Sequence, residues 1–231
     1  MQRVVNLYRS SIGKKIVMAV TGFILVAFVV IHMLGNLKVF YPAHDGVYKI
    51  DAYGEFLRTV GYPVFSRGNV LWIFRIGLLV TAILHIWSAI AVWRMSALAR
   101  PQDYQKRESV SSTLASRTMR VGGIILAAFI VFHILNLTTG SIFPGGTFEH
   151  GQVHHNMVLT FSIWWVAAFY IVAMIFLGLH LYHGIWSAFQ TLGVANPRYK
   201  QWRRTLAVVI AVLVSAGNIL IPLAILIGRV H

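Results

Sequence analysis

Two apolar segments of the chain each carry one histidine at the same position. GFILVAFVVIHMLGNL begins at Gly22 and contains His32, and GIILAAFIVFHILNL begins at Gly123 and contains His133. Each histidine follows its glycine by ten residues. An ionisable side chain inside so apolar a segment is costly and usually marks function. Imidazole can bind a metal, relay a proton or form an interhelical hydrogen bond, so these positions define the chemistry to be explained.

Three further histidines lie in other apolar segments. His85 occurs in LHIWSAI, and His180 and His183 occur in GLHLYHGIWSAF. The other five are expected in loops or at the terminus, and are His44, His150, His154, His155 and His231. Three of those five form the motif EHGQVHHN, which we interpret as solvated loop histidines rather than as a metal site.

The composition predicts an all-α membrane protein with a single domain over residues 1–231. Hydrophobic residues make up 58% of the 231 residues and charged residues only 11%. Apolar windows of about 20 residues, the length that crosses a bilayer, predict five transmembrane helices: Ile16–Leu37, Val70–Trp93, Val121–Thr139, Leu159–Gln190 and Leu206–Ile227. The chain has no cysteine, which excludes thiolate-ligated iron–sulfur clusters and covalently attached c-type haem within it.

The distribution of basic residues predicts the orientation. Fourteen Lys and Arg residues lie in the N-terminal segment and in the second-to-third and fourth-to-fifth connections, against five on the opposite side. The positive-inside rule therefore predicts a multi-pass protein of the cytoplasmic membrane, with a cytoplasmic N-terminus and an external C-terminus. This distribution also accounts for the net charge of +14 without nucleic-acid binding, because the predicted spans leave no soluble domain for a basic face.

The depth of each histidine sorts the intramembrane set into two layers. With a rise of about 1.5 Å per residue, His32 and His133 fall in the outer half, and His85 and His183 fall in the inner half. Four histidines on four helices at two matched depths weaken the interpretation as isolated hydrogen bonds. Two imidazoles facing each other in a bundle core are the axial ligands of a b-type haem. The sequence therefore predicts a four-helix core with two haem b groups, ligated by His32 with His133 and by His85 with His183.

Three features of these segments leave alternatives open. His180 is an alternative to His183, although the similar text after His85 and His183 favours His183. Arg75 lies about 15 Å outward of His85 by helical rise, which fits either a haem propionate partner or an interfacial snorkelling arginine. Small residues on the first and third predicted helices leave room for a macrocycle or simply permit close packing: Gly22, Ala27, Gly35, Gly122, Gly123, Ala127 and Ala128.

Four motifs in order carry a resemblance to a known family. They are GKKIVMAVTGFILVAFVVIHMLGNLKVF, LHIWSAIAVWRMSALARPQDY, ASRTMRVGGIILAAFIVFHILNL and GLHLYHGIWSAFQTLG. Together they resemble the single-chain, five-helix cytochrome b subunit of succinate:quinone oxidoreductases and fumarate reductases (complex II). The resemblance implies a membrane anchor with one b haem near each face and the same histidine pairing.

The resemblance also implies partners. A flavoprotein subunit and an iron–sulfur subunit would dock on the inner side, so the chain would not be catalytic alone, and the complex could form a higher oligomer. Quinone, with menaquinone as the expected type, would bind near the outer haem beside an acidic residue. Asp51 and Glu55 are candidates, because their i, i+4 spacing puts them on one face of a helix, as it would in an ordinary interfacial helix. The direction of the reaction is not assigned, and the fourth predicted helix carries no intramembrane glutamate for proton transfer.

Two other functions remain open at the level of the sequence. One is a di-haem cytochrome b that anchors another quinone-linked oxidoreductase, such as a formate dehydrogenase or hydrogenase, or a transmembrane ascorbate-type reductase. The other is a haem-free transporter or proton channel with a histidine relay. Inverted repeats would support a transporter, whereas the two near-copies here run in the same direction.

Overall fold

The computed structural model describes residues 10–99 and 114–231, with the backbone alone for residues 114–117. Within these residues the protein is all helical and has seven α-helices. They are α1 (Ser11–Asn36), α2 (Lys49–Thr59), α3 (Asn69–Leu98), α4 (Leu114–His133), α5 (Val153–Phe161), α6 (Trp164–Thr191) and α7 (Lys200–Leu226). Helices α1, α3, α4, α6 and α7 are long and apolar enough to cross a membrane. This confirms the prediction of an all-α, multi-pass membrane protein.

The fourth long helix begins later than its predicted start at Leu159. The hydroxyl of Ser162 donates to the Val158 carbonyl at 2.8 Å, and Ile163 has an extended backbone (φ −87°, ψ 107°). These residues end α5 and turn the chain into α6 at Trp164. Hydropathy could not show this break, because no glycine or proline interrupts the apolar segment.

The ends of α1 and α4 have identifiable local structures. The Ser10 side chain caps α1 by accepting from the Gly13 backbone N–H at 3.0 Å. At its other end α1 continues into a 3₁₀ turn, Leu37–Phe40. Helix α4 passes directly into a π-helical turn, Ile134–Thr138, which begins at the residue after His133. Single π turns of this kind frequently occur at functional sites.

The long helices alternate in direction, which gives the bundle two ends. We call the end at which α1 begins the N-terminal end, and the end that carries α2 and α5 the loop end. Helix α1 packs against α3, α6 and α7, and α6 packs against α4 and α7. A Cβ on Gly217 of α7 would lie 2.5 Å from the sulfur of Met33, so glycine permits α1 and α7 to approach closely here.

Apolar side chains are exposed along the outer faces of the long helices. Ile73 and Ile124 are 62% and 66% exposed, and both lie within spanning segments. Such surfaces would be unfavourable in water but match the hydrocarbon of a bilayer. The helices therefore meet in a thin core, with most of their circumference available to lipid.

Candidate functional site

His32 on α1 and His133 on α4 meet in the bundle core. Their ring centroids are 5.8 Å apart and their planes are nearly perpendicular, at 89°. Phe28 stacks on His32 at 5.3 Å and Phe129 stacks on His133 at 5.7 Å, which restricts both rings. A metal ion bound to one nitrogen of each ring at about 2 Å would set the centroids roughly 6 Å apart. The separation of this pair fits such a site.

A buried hydrogen-bond network holds the His133 ring. The Tyr170 hydroxyl donates to Asn136 Oδ1 at 2.9 Å, and its oxygen lies 3.4 Å from His133 Nδ1. Asn136 Nδ2 donates to the Ile142 carbonyl at 3.1 Å. Because the Tyr170 proton points to Asn136, the Tyr170 oxygen is the acceptor for an Nδ1–H of His133. Nε2 of His133 is then the nitrogen with a free lone pair.

His85 on α3 is held in the same way by the backbone of α1. Its Nδ1 lies 3.0 Å from the Met18 carbonyl oxygen and 3.2 Å from the Thr21 hydroxyl. A carbonyl only accepts, so Nδ1 carries the proton and Nε2 is free to bind a metal. A Cβ on Gly22 would lie 3.2 Å from the His85 ring. Gly22, expected to leave room for a macrocycle, therefore makes room for the imidazole itself.

The structure brings His180 rather than His183 against His85. The His85 and His180 centroids are 6.2 Å apart at an interplanar angle of 67°. Among the described side chains, His183 makes its ring contact with Trp186, at 6.3 Å. Nδ1 of His180 is buried without a hydrogen-bond partner in this part of the chain. The geometry thus adds weight to the alternative residue, while the sequence repeat supports His183.

The two pairs occupy different depths in the bundle. His32 lies toward the loop end of α1, whereas His85 contacts α1 between Met18 and Thr21, which is roughly 20 Å nearer the N-terminal end by helical rise. The structure therefore contains two separate imidazole pairs, His32 with His133 toward the loop end and His85 with His180 toward the N-terminal end.

Arg75 is exposed and packs on a neighbouring ring of its own helix. Its guanidinium carbon lies 5.1 Å from the centroid of Trp72. This cation–π arrangement is typical of an arginine at a membrane interface. This contact matches the second of the two roles that the sequence left open, that of an interfacial arginine.

Asp51 and Glu55 lie on α2 at the loop end, and both carboxylates have structural partners. Asp51 Oδ1 accepts from the backbone N–H of His154 at 2.9 Å, at the beginning of α5. This contact satisfies one of the free N–H groups of a helix N-terminus. Glu55 pairs with Arg67 and, at 3.7 Å, with Arg58. These contacts match the alternative of an interfacial structural helix.

The histidines of EHGQVHHN face different partners. His154 is buried, stacked on Tyr48 at a centroid distance of 3.5 Å, although the motif was interpreted as solvated. Burial lowers the pKa of His154, and the Asp51 carboxylate opposes this shift. His155 lies 3.7 Å from Glu149, and His150 contacts Phe148. No cluster of three or more His, Asp or Glu side chains with a metal-binding arrangement occurs in residues 10–99 and 118–231.

Several residues at these sites were not identified from the sequence. Asn136 is the clearest case, since an amide three residues after His133 in an apolar segment is a recognisable signal. Tyr170 and Thr21 carry no such signal, because aromatic and hydroxyl residues are common in membrane helices. Arg203 was counted as a connection cation, yet it is only 2% exposed.

The fold and the site define a class: a multi-pass helical membrane protein whose core contains two pairs of partly buried imidazoles, with the rings of His85 and His133 oriented by hydrogen bonds. Comparison with known proteins does not narrow that class, since no protein-family model, no curated protein and no solved structure matches the chain.

Proposed function

We propose that the chain is a di-haem cytochrome b that anchors a succinate dehydrogenase or fumarate reductase in the cytoplasmic membrane. Helices α1, α3, α4 and α6 form its four-helix core, with one haem b near each end. The observation that carries this proposal is how the rings of His85 and His133 are oriented and which imidazole lies beside each. Nδ1 of His85 and of His133 is bonded to an acceptor, and a second, partly buried imidazole lies about 6 Å away in each case, that of His180 beside His85 and that of His32 beside His133.

The donor set fits haem iron. Ligating histidines almost always donate their other ring N–H to an oxygen acceptor, which fixes the ring and raises its basicity. Met18 and Tyr170 supply those acceptors. When bound, haem supplies one-electron transfer between the partner subunits and quinone. For the iron at the N-terminal end, the sequence repeat supports His183 and the ring contact supports His180.

The assignment to complex II rests on the four ordered motifs. In this proposal the N-terminal end faces the cytoplasm, as the Lys and Arg distribution indicates, and receives the iron–sulfur and flavoprotein subunits. Menaquinone exchanges electrons at the loop end. Asp51 and Glu55 stabilise that end in this proposal. Asp51 contacts the beginning of α5, and Glu55 pairs with Arg67 in the segment before α3.

The first test is the spectrum of the purified protein. We expect a dithionite-reduced b-type spectrum with about two haems per chain, and co-purification with a flavoprotein and an iron–sulfur subunit. A haem-free protein would contradict the proposal and favour a histidine relay. Haem without those two subunits would instead assign the chain to another quinone-linked oxidoreductase.

Tyr170→Phe should raise the midpoint potential of the haem at His133. The variant removes the acceptor of the His133 Nδ1–H, so the imidazole becomes a weaker electron donor and stabilises ferric iron less. It also leaves Asn136 Oδ1 without its donor, at a cost of about 1–3 kcal/mol in stability. A spectroscopic redox titration measures both haems in one sample, and the haem at His85 should keep its potential.

Tyr62→Phe is the matched control, because this tyrosine is 66% exposed at the loop end. Equal potentials for the haem at His133 in wild type and in Tyr170→Phe would show that the network does not act on the ligand.

A further inference from the structure

Arg203, in the first turn of α7, is a buried cation that has no anionic partner among the residues that the structure describes. It is the largest of the fully buried side chains, at 2% exposure. Its Nε donates to the Tyr199 carbonyl at 3.3 Å, and its Nη1 is buried with no hydrogen-bond partner among the described residues. The adjacent Arg204 is exposed. An isolated buried charge is strongly unfavourable unless something pairs with it.

No acidic side chain of the described chain supplies that partner. The acidic residues in this part of the sequence are Asp45, Asp51, Glu55 and Glu149, and all of them belong to connections at the loop end. The guanidinium offers N–H groups in a fork that fits a carboxylate or phosphate oxygen pair, so a buried Arg203 is a candidate anion site.

The position of Arg203 relates this site to His85. Helices α1 and α7 run in the same direction, and Gly217 of α7 lies opposite Met33 of α1. Arg203 and Ala19 each lie 14 residues before those positions, so they are at the same level. Ala19 is buried and follows Met18, whose carbonyl binds His85. The backbone of Arg203 is therefore level with the α1 residues that hold His85, and its guanidinium, which turns back to the Tyr199 carbonyl, lies between that level and the N-terminal end.

We propose that Arg203 binds a propionate carboxylate of the haem held at His85. This inference rests on the function proposed above. A haem at His85 would bring two propionate carboxylates to this part of the bundle, where residues 10–99 and 118–231 supply no acidic side chain. An arginine can bind a carboxylate through two parallel hydrogen bonds, which also orients the macrocycle. A phospholipid phosphate has the same chemistry, so the experiment must separate the two sources.

The test compares haem b with its dimethyl ester, in which both carboxylates are blocked. Haem-free protein is titrated with each compound in a His133→Ala background, which leaves only the site at His85. We expect the protein with Arg203 to bind haem b at least about tenfold more tightly than the ester. This difference in affinity corresponds to about one charge-assisted hydrogen bond. Arg203→Gln should remove this preference, and Arg203→Lys should keep part of it. Arg204→Gln is the matched control and should behave as wild type.

Each result decides the question. If the Arg203→Gln variant prefers haem b over its dimethyl ester as strongly as the protein with Arg203 does, the inference is wrong while the haem assignment stands. A chain with Arg203 that takes up no haem at all contradicts the proposed function itself. Loss of a bound phospholipid from Arg203→Gln, measured as phosphorus, with unchanged haem preference would assign the anion to lipid. Where Arg203→Gln does not fold, Arg203→Lys supplies the same comparison, since it keeps the charge and lacks the fork.

Discussion

His133→Ala is expected to remove one haem centre and leave the other. His133 and His32 would share one iron, and the second site lies roughly 20 Å away along α1 and has its own ligands and acceptors. Haem content should therefore fall by about half, with the lost signal being that of the centre toward the loop end. The measurement is the pyridine haemochrome content together with the redox titration of the remaining haem.

His32→Ala should give the same spectrum as His133→Ala, because either change removes one axial ligand of the same iron. His155→Ala is the control, since that ring is exposed and lies beside Glu149. Retention of both centres in His133→Ala would refute the pairing. Loss of both would indicate that the variant fails to assemble, and His133→Met, which keeps a possible axial ligand, then tests the position without an empty cavity.

A second large effect should show which of His183 and His180 is the second ligand of the haem at His85. We expect His183→Ala to abolish the centre at His85, and His180→Ala to retain it with an altered spectrum. The text after His183 repeats that after His85, and His180 has no acceptor for a ring N–H among its described neighbours, unlike His85 and His133. Low-temperature reduced spectra of the two variants, each in the intact chain, measure this directly.

The two variants control each other, since both remove one imidazole from the same face of α6. Loss of the centre in His180→Ala with its retention in His183→Ala would reverse the assignment. That result would mean that the ring contact with His85, at 6.2 Å, identifies the ligand better than the sequence repeat does.

Features that depend on composition along one helix could be predicted from the sequence. The five long helices follow from hydropathy, and the meeting of His32 with His133 follows from their equal positions in two parallel segments. The break at Ser162 could not be predicted, because a hydroxyl bond back to Val158 leaves no mark on an apolar window.

Features that depend on which side chains come into contact could not be predicted from the sequence. Positions three apart share a helix face, so spacing alone could not separate His180 from His183. Asp51 was a candidate for quinone chemistry because it is acidic and lies in an outer connection. Its partner, the backbone of His154, is about a hundred positions away in the chain, so the sequence could not show that this carboxylate is engaged. Arg203 was indistinguishable from its exposed neighbour Arg204, since burial is decided by the helices that pack around it.

The position of α1 has a consequence for biogenesis. Helix α1 contributes His32 to one pair, and its backbone holds the imidazole of the other. As the chain emerges from the ribosome, both imidazoles of the pair at His32 are present once α4 has entered the membrane, whereas Tyr170, which accepts from His133, and the second imidazole beside His85 arrive only with α6. Both proposed haem sites would therefore wait for α6, with α1 as the first element of each.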